Sequence, residues 1–141
     1  MVRSEENNSV KLEANLKLPV KIGLIGLGNI GKIHYEALSR LPQTNFEIVA
    51  LADPKPTDEA RNLVGTDIAL YADYKELLRK PEIVAVSINT PPNTHHQLVM
   101  DALRAGKHVL VEKPPALAVA QCEEMSVCAN QQERVLFMSF H

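Results

Sequence analysis

The chain is poor in several residue types, and each shortage removes a class of function. Among its 141 residues are two cysteines and no tryptophan, and aromatic residues make up 4%. Cys122 and Cys128 lie six positions apart. On one helix that is about 9 Å along the axis, beyond disulfide reach. With no histidine pair close by they are also a poor zinc frame. Cys122 is expected to pack inward, with Cys128 elsewhere on the helix. No apolar run reaches the roughly 18 residues of a membrane span. The net charge is −2, which argues against nucleic-acid phosphates or an anionic membrane surface as partners. No G-x-S-x-G occurs, so hydrolase chemistry has no support. The first nine residues lack the apolar middle of a secretory signal. Met1 to about Leu18 therefore reads as a polar, loose extension, and the location as cytoplasmic by default. Residues 19–141 suit one domain with a substantial core.

What is present is a glycine turn in the right setting. Ile22-Gly23-Leu24-Ile25-Gly26-Leu27-Gly28-Asn29-Ile30-Gly31 reads as a buried strand, a turn and the start of a helix. Gly26, Gly28 and Gly31 fill the three places of G-x-G-x-x-G. Gly26 permits the tight turn, Gly28 lets backbone approach a pyrophosphate, and Gly31 lets helix and strand pack closely. The helix start then offers its N–H groups and positive dipole end to phosphate. Asp53 follows 22 residues after Gly31, at the end of the next apolar run. There a carboxylate accepts from the adenosine ribose hydroxyls and repels a 2′-phosphate, which favours NAD over NADP. Lys55 is close enough to offer a countercharge to a 2′-phosphate, although an ordinary solvated turn lysine explains it better.

Strand-like runs alternate with helical patterns along the rest. The strands are expected at Val20–Ile25, Phe46–Ala52, Ile68–Tyr71, Ile83–Ile88, His108–Val111 and Val135–Phe140. Their near-continuous Val, Ile, Leu and Ala content is what a sheet covered on both faces requires. Ile30, Ile33, Ala37, Leu38 and Leu41 suggest one face of the first helix. Thr57 can cap a second, with Asp58 and Glu59 in its first turn, and Asp73 a third bearing Leu77 and Leu78. A fourth runs from about Thr94 to Ala105 and stops at Gly106. Ala118, Cys122, Met125 and Ala129 mark the inner stripe of a fifth. The pattern predicts an α/β fold: a doubly wound parallel sheet with strand order 3-2-1-4-5-6.

In such a sheet ligands lie beyond the carboxyl ends of the strands, at the switch point between strands one and four. The glycine turn, Asp53, Asn89 to His96 and Glu112 to Pro115 all end there. Lys113 is the best candidate for a catalytic group: its ammonium could orient a substrate hydroxyl and stabilise alkoxide charge, with partial desolvation tuning it for proton transfer. Glu112 could bond a nicotinamide carboxamide or orient Lys113. The Lys113–Pro114 bond is a candidate for the cis form. His95 and His96 lack the partners of a metal site, so no metal is expected; His95 caps or lines the loop and His96 faces solvent. His34 reads as a packing or interface residue.

Together these segments resemble the N-terminal domain of the Gfo/Idh/MocA oxidoreductases, the glucose–fructose oxidoreductase and inositol dehydrogenase group. The resemblance runs from about Val20 to His141. It rests on Gly26 to Gly31 with His34, on Tyr71-Ala72-Asp73-Tyr74-Lys75-Glu76-Leu77-Leu78, and on Thr90-Pro91-Pro92-Asn93-Thr94-His95. The Glu112-Lys113-Pro114 motif, within Ala105 to Pro114, is its most diagnostic part. The resemblance implies a Rossmann fold with Gly26, Gly28, Asn29 and Ile30 along the pyrophosphate and ribose, and Asp53 at the adenosine ribose. Thr90, Pro91, Asn93 and His95 would border the nicotinamide ribose, and Glu112 and Lys113 would lie at the nicotinamide, Lys113 also touching substrate. It further implies NAD, with NADP as the alternative, and a sugar, inositol or related polyol as substrate. The ending Leu136 to His141 is a little like the aldose 1-dehydrogenase branch. Relatives carry a second domain that supplies most substrate contacts, and nothing in the sequence corresponds to it. The expectation is therefore a cofactor-binding half that binds dinucleotide without turnover. Two alternatives stay open: a non-catalytic nucleotide-binding module that associates, as a homo-oligomer or with a partner, through the edge after Phe140; and a truncated product.

Overall fold

The computed structural model describes residues 17–139, so residues 1–16 of the extension expected over 1–18, together with Phe140 and His141, lie outside the described residues. Six strands run as β1 (Val20–Ile25), β2 (Phe46–Ala52), β3 (Ala69–Tyr71), β4 (Ala85–Ile88), β5 (His108–Val111) and β6 (Leu136–Met138). They form one sheet in the order β3-β2-β1-β4-β5-β6, every neighbouring pair parallel. Five helices connect them: α1 (Asn29–Ser39), α2 (Asp58–Val64), α3 (Tyr74–Leu78), α4 (Pro92–Arg104) and α5 (Val119–Gln131). Among the described residues no helix is long and apolar enough to cross a membrane.

The alternation of side chains along β1 divides the core between the two faces. Ile22 and Leu24 point to one face, where they pack with Leu27, Leu51, Ala60 and Val64 beneath α1 and α2. Ile25 points to the other, into a larger cluster with Leu77, Val86, Ile88, Leu103, Val109 and Met125 under α3, α4 and α5. Gly23 lies on this second face, and a Cβ there would stand 2.7 Å from Leu77 Cδ2. The missing side chain is the space that the fully buried Leu77 fills.

Caps explain where the short helices begin. Thr57 Oγ1 accepts from the Ala60 N–H at 3.1 Å, and Asp73 Oδ1 from the Lys75 N–H at 2.9 Å, as expected from the sequence. Gly106, at φ +79°, lies just past the end of α4. Helix α4 starts at Pro92 rather than Thr94, because a proline at the first helical position gives up an N–H that has no partner there anyway.

Three readings of helix faces need correction. On α1 the side toward the sheet carries Gly31, Tyr35 and Leu38, while Ile30 and Ile33 are exposed at 41% and 55%. The face is set by Gly31, which must meet the β1 turn, and not by the count of apolar residues. On α5 it is Cys128 that is buried, with Cys122 half-buried against the same cluster. Ala118 is the exposed N-cap of α5, so it does not begin the inner stripe.

The sheet face over β4 to β6 on the α1 side holds a shallow apolar cavity of about 200 Å³, lined in part by Leu110 and Phe137. His108, at the start of β5, also lines it. Its Nδ1 accepts the Val135 N–H at 3.0 Å. Burial, and then the nearby Arg134 charge, holds its pKa below the ordinary 6.5. The unfolded chain therefore takes up this proton first as pH falls, so the contribution is complete above 6.5 and is lost below it. His108→Gln keeps an acceptor that does not titrate. Denaturant midpoints measured at about pH 7 and pH 5 should fall less in this variant than in the parent chain.

Candidate functional site

Four segments leave the carboxyl edge of the sheet and meet where β1 stands between β2 and β4. The first is the glycine turn. Gly26 has φ +94°, a conformation glycine adopts freely, and a Cβ there would lie 2.6 Å from Asn89 O. A Cβ on Gly31 would run into Gly26 O, so only hydrogen fits where α1 crosses the turn. Gly28 differs: a Cβ there meets nothing within 4 Å. Gly28, Asn29 and Ile30 are all exposed. Helix α1 begins there with no side-chain cap and no acidic residue in its first turn. Its N–H groups and positive dipole end are thus unneutralised by side chains, which fits an anion approaching Gly28. Helix α2, by contrast, has Thr57 as cap and Asp58 and Glu59 in its first turn.

The second segment brings Asp53 against this turn. Its Oδ2 accepts the Leu27 N–H at 2.8 Å and its Oδ1 the Lys55 N–H at 2.8 Å. The half-buried carboxylate is thereby fixed, and each oxygen keeps a lone pair for a further donor. The Lys55 side chain is exposed.

The third segment follows β4. The Asn89 N–H donates to Ile25 O at 2.8 Å, tying the loop to the end of β1. Thr94 Oγ1 lies 2.6 Å from both Thr90 Oγ1 and Pro91 O. Pro91 and Asn93 are exposed, whereas His95 is completely buried. Its Nδ1 stands 2.7 Å from Pro114 O and its Nε2 2.7 Å from Thr90 O. His95 therefore has no surface to border a ligand; it joins the third segment to the fourth. A neutral ring donates to one of these carbonyls, and only a doubly protonated ring to both. His96 is half-buried and pairs with Glu124 of α5 at 2.9 Å, instead of facing solvent.

The fourth segment follows β5. Glu112 is 6% exposed, and its Oε1 lies 2.7 Å from Nε2 of His34 on α1. Its Oε2 accepts the Lys113 N–H at 3.3 Å. Both Glu112 oxygens are thus engaged, one beside His34 and the other by the Lys113 backbone. The Lys113–Pro114 bond is cis. Lys113 itself is exposed, so the described residues do not supply the desolvation expected for it.

The predicted residues thus sort into two kinds. Gly28, Asn29, Ile30, Asp53, Thr90, Pro91, Asn93 and Lys113 present surface, whereas Gly26, Gly31, His95 and Glu112 are buried beneath them. Sequence reasoning missed His34 as a partner of Glu112. The available signal was its place on the face of α1 that Gly31 turns inward. A separate cavity of about 580 Å³ between α1 and α2, spanned by the Lys32–Glu59 pair at 2.8 Å, shares only Asn29 with this set.

Comparison with known proteins decides the family. Residues 20–140 match the family described as oxidoreductase family, NAD-binding Rossmann fold. The chain belongs to the Gfo/Idh/MocA oxidoreductases. Among curated members of this family, it is 33% identical over 122 residues to myo-inositol 2-dehydrogenase of Thermotoga maritima, covering 86% of this chain and 36% of that protein. It is 35% identical over 109 residues to the inositol 2-dehydrogenase/D-chiro-inositol 3-dehydrogenase of Lactiplantibacillus plantarum, covering 74% of this chain and 30% of that one. The crystal structure of D-galactose-1-dehydrogenase from Rhizobium etli superposes with a TM-score of 0.77 at 29% identity, over 90% of this chain and 39% of that one. The chain thus spans about a third of the length of the Gfo/Idh/MocA relatives it matches.

The glycines separate fold from site. Gly31→Ala should lower unfolding stability by at least about 2 kcal/mol, because the obstructing atom is backbone. Gly28→Ala should stay within about 1 kcal/mol of the parent chain. Denaturant unfolding of the two variants side by side checks both.

Proposed function

We propose that this chain binds NAD in preference to NADP and orients it for hydride transfer involving a sugar, inositol or related polyol. The observation that carries the proposal is the open edge at Gly28: exposed glycine backbone at the uncapped, acid-free start of an eleven-residue helix. Phosphate oxygens would be held there by the first N–H groups of α1. Asp53, fixed by two backbone amides, would take the adenosine ribose hydroxyls on its remaining lone pairs and disfavour a 2′-phosphate by charge. Thr90, Pro91 and Asn93 would border the nicotinamide ribose.

When bound, the nicotinamide supplies the hydride acceptor or donor. Lys113 would orient the substrate hydroxyl with its ammonium and favour developing alkoxide charge, as the chain's one candidate catalytic residue. Polyol chemistry is supported by the inositol and galactose dehydrogenases among the relatives. Because the chain spans about a third of their length, we assign it the cofactor half of the reaction, with substrate selection made by residues outside it.

Titrating the chain with NADH and with NADPH, read by nicotinamide fluorescence, tests this directly. Binding of NADH without turnover of inositol or galactose is the expected result, and no binding of either nucleotide defeats the proposal. Asp53→Ala should reduce the NADH to NADPH affinity ratio by about tenfold, equivalent to about 1.4 kcal/mol. An unchanged ratio removes Asp53 from the site. Gly28→Ala should weaken both nucleotides while leaving stability near the parent value.

A further inference from the structure

Lys113 is exposed, yet the residues on either side of it are gripped from two directions. On one side stands Glu112, a buried carboxylate whose Oε1 is 2.7 Å from Nε2 of His34. His34 belongs to α1, the helix whose position is set by Gly31 against Gly26. Its Nδ1 lies 3.4 Å from Ser87 Oγ at the end of β4. The other Glu112 oxygen takes the Lys113 N–H. On the far side stands Pro114, whose carbonyl oxygen is 2.7 Å from Nδ1 of the fully buried His95, while the opposite ring nitrogen reaches Thr90 O. A histidine that merely fills a core bonds whatever polar group is nearest. Here two histidines, from different helices, end on the two neighbours of a single lysine.

We infer that His34 and His95 are positioning residues that lock the Glu112–Pro114 turn, and with it the Lys113 ammonium, in register with the glycine turn and the loop after β4. This rests on the reading of that turn as the nicotinamide side of the site. The His34–Glu112 contact is a bond to a carboxylate in a mostly buried place, the circumstance in which such bonds are strong and directional. It spans 78 residues of sequence and joins the helix that starts at the phosphate side to the turn on the nicotinamide side. Removing it withdraws a donor from Glu112 and slackens the Lys113 backbone, while Gly26, Gly28, Gly31 and Asp53 keep their own contacts. The two halves of the dinucleotide should therefore respond differently.

The test compares NADH with ADP-ribose, which has the same adenosine and pyrophosphate but no nicotinamide. In His34→Leu the NADH dissociation constant should rise about tenfold and that of ADP-ribose less than about twofold. His34→Gln, which retains a side-chain donor, should recover most of the loss. Amide hydrogen exchange supplies a readout without nucleotide: the Lys113 N–H should exchange at least about tenfold faster in His34→Leu, with Val109 in the preceding strand β5 unchanged. Equal weakening of NADH and ADP-ribose, or unaltered Lys113 exchange, overturns the inference. If the parent chain binds neither nucleotide, the proposed function fails and the exchange comparison alone decides this point. Should His34→Leu not fold, Glu112→Gln keeps the shape, weakens the same bond and must give the same pattern.

Discussion

Helix α1 sits against the turn that precedes it with no room for a single methyl group: a Cβ on Gly31 would collide with the carbonyl oxygen of Gly26. Much of the candidate site is a consequence. The contact fixes how α1 is rotated about its axis, so that Tyr35 and Leu38 lie on the sheet and His34 lies over the end of β4. It also fixes where the helix begins, which leaves the N–H groups of the first turn beside the open edge at Gly28. Gly26 is held in turn by Asn89 and Thr90, whose atoms a Cβ would meet at 2.6 to 3.0 Å. The ends of β1 and β4 and the start of α1 are thus one rigid junction.

Around that junction the site is built in two tiers. The exposed tier, from Gly28 to Ile30 with Asp53, Thr90, Pro91, Asn93 and Lys113, presents surface beyond the carboxyl edge of the sheet. The tier beneath it, made of buried Glu112, His95 and Asn89 with half-buried His34, is tied together by contacts among these side chains, Ser87 and the loop backbone. No buried side-chain nitrogen or oxygen among the described residues lacks a hydrogen-bond partner. The same economy of polar groups recurs at the opposite edge of the sheet. There Lys107, its pKa lowered mainly by burial, donates to Lys80 O and Ile83 O at 2.7 Å each and so anchors the entry to β4.

Local chemistry made much of this legible from sequence. Strand runs of Val, Ile and Leu, the Thr57 and Asp73 caps and the stop at Gly106 all depend on residues within a few positions of one another. The strand order followed from alternation and handedness. The face of α1 was not legible from apolar spacing, because a glycine contact outranked hydrophobicity and left Ile33 exposed at 55%. On α5 Cys122 and Cys128 are each three positions from Met125 and both reach the core, Cys128 the more deeply. The supporting tier was the least legible part. His34 and Glu112 are 78 residues apart and His95 and Pro114 are 19 apart, so each pair exists only once the sheet has brought β4, β5 and α1 together.

Asp53 carries an obligation of a different sort. Its two oxygens already hold the amides of Leu27 and Lys55, so its rotamer is chosen before any ligand arrives. A hydroxyl meeting this carboxylate spends no entropy on ordering it, which is preorganisation in its simplest form. The same bonds make position 53 a poor place for isolated redesign. A residue without a side-chain acceptor at this position strips the Leu27 amide of its partner and loosens the turn. A change at position 53 is therefore coupled to the glycine turn, and a second residue must take over the Leu27 amide if the turn is to keep its shape.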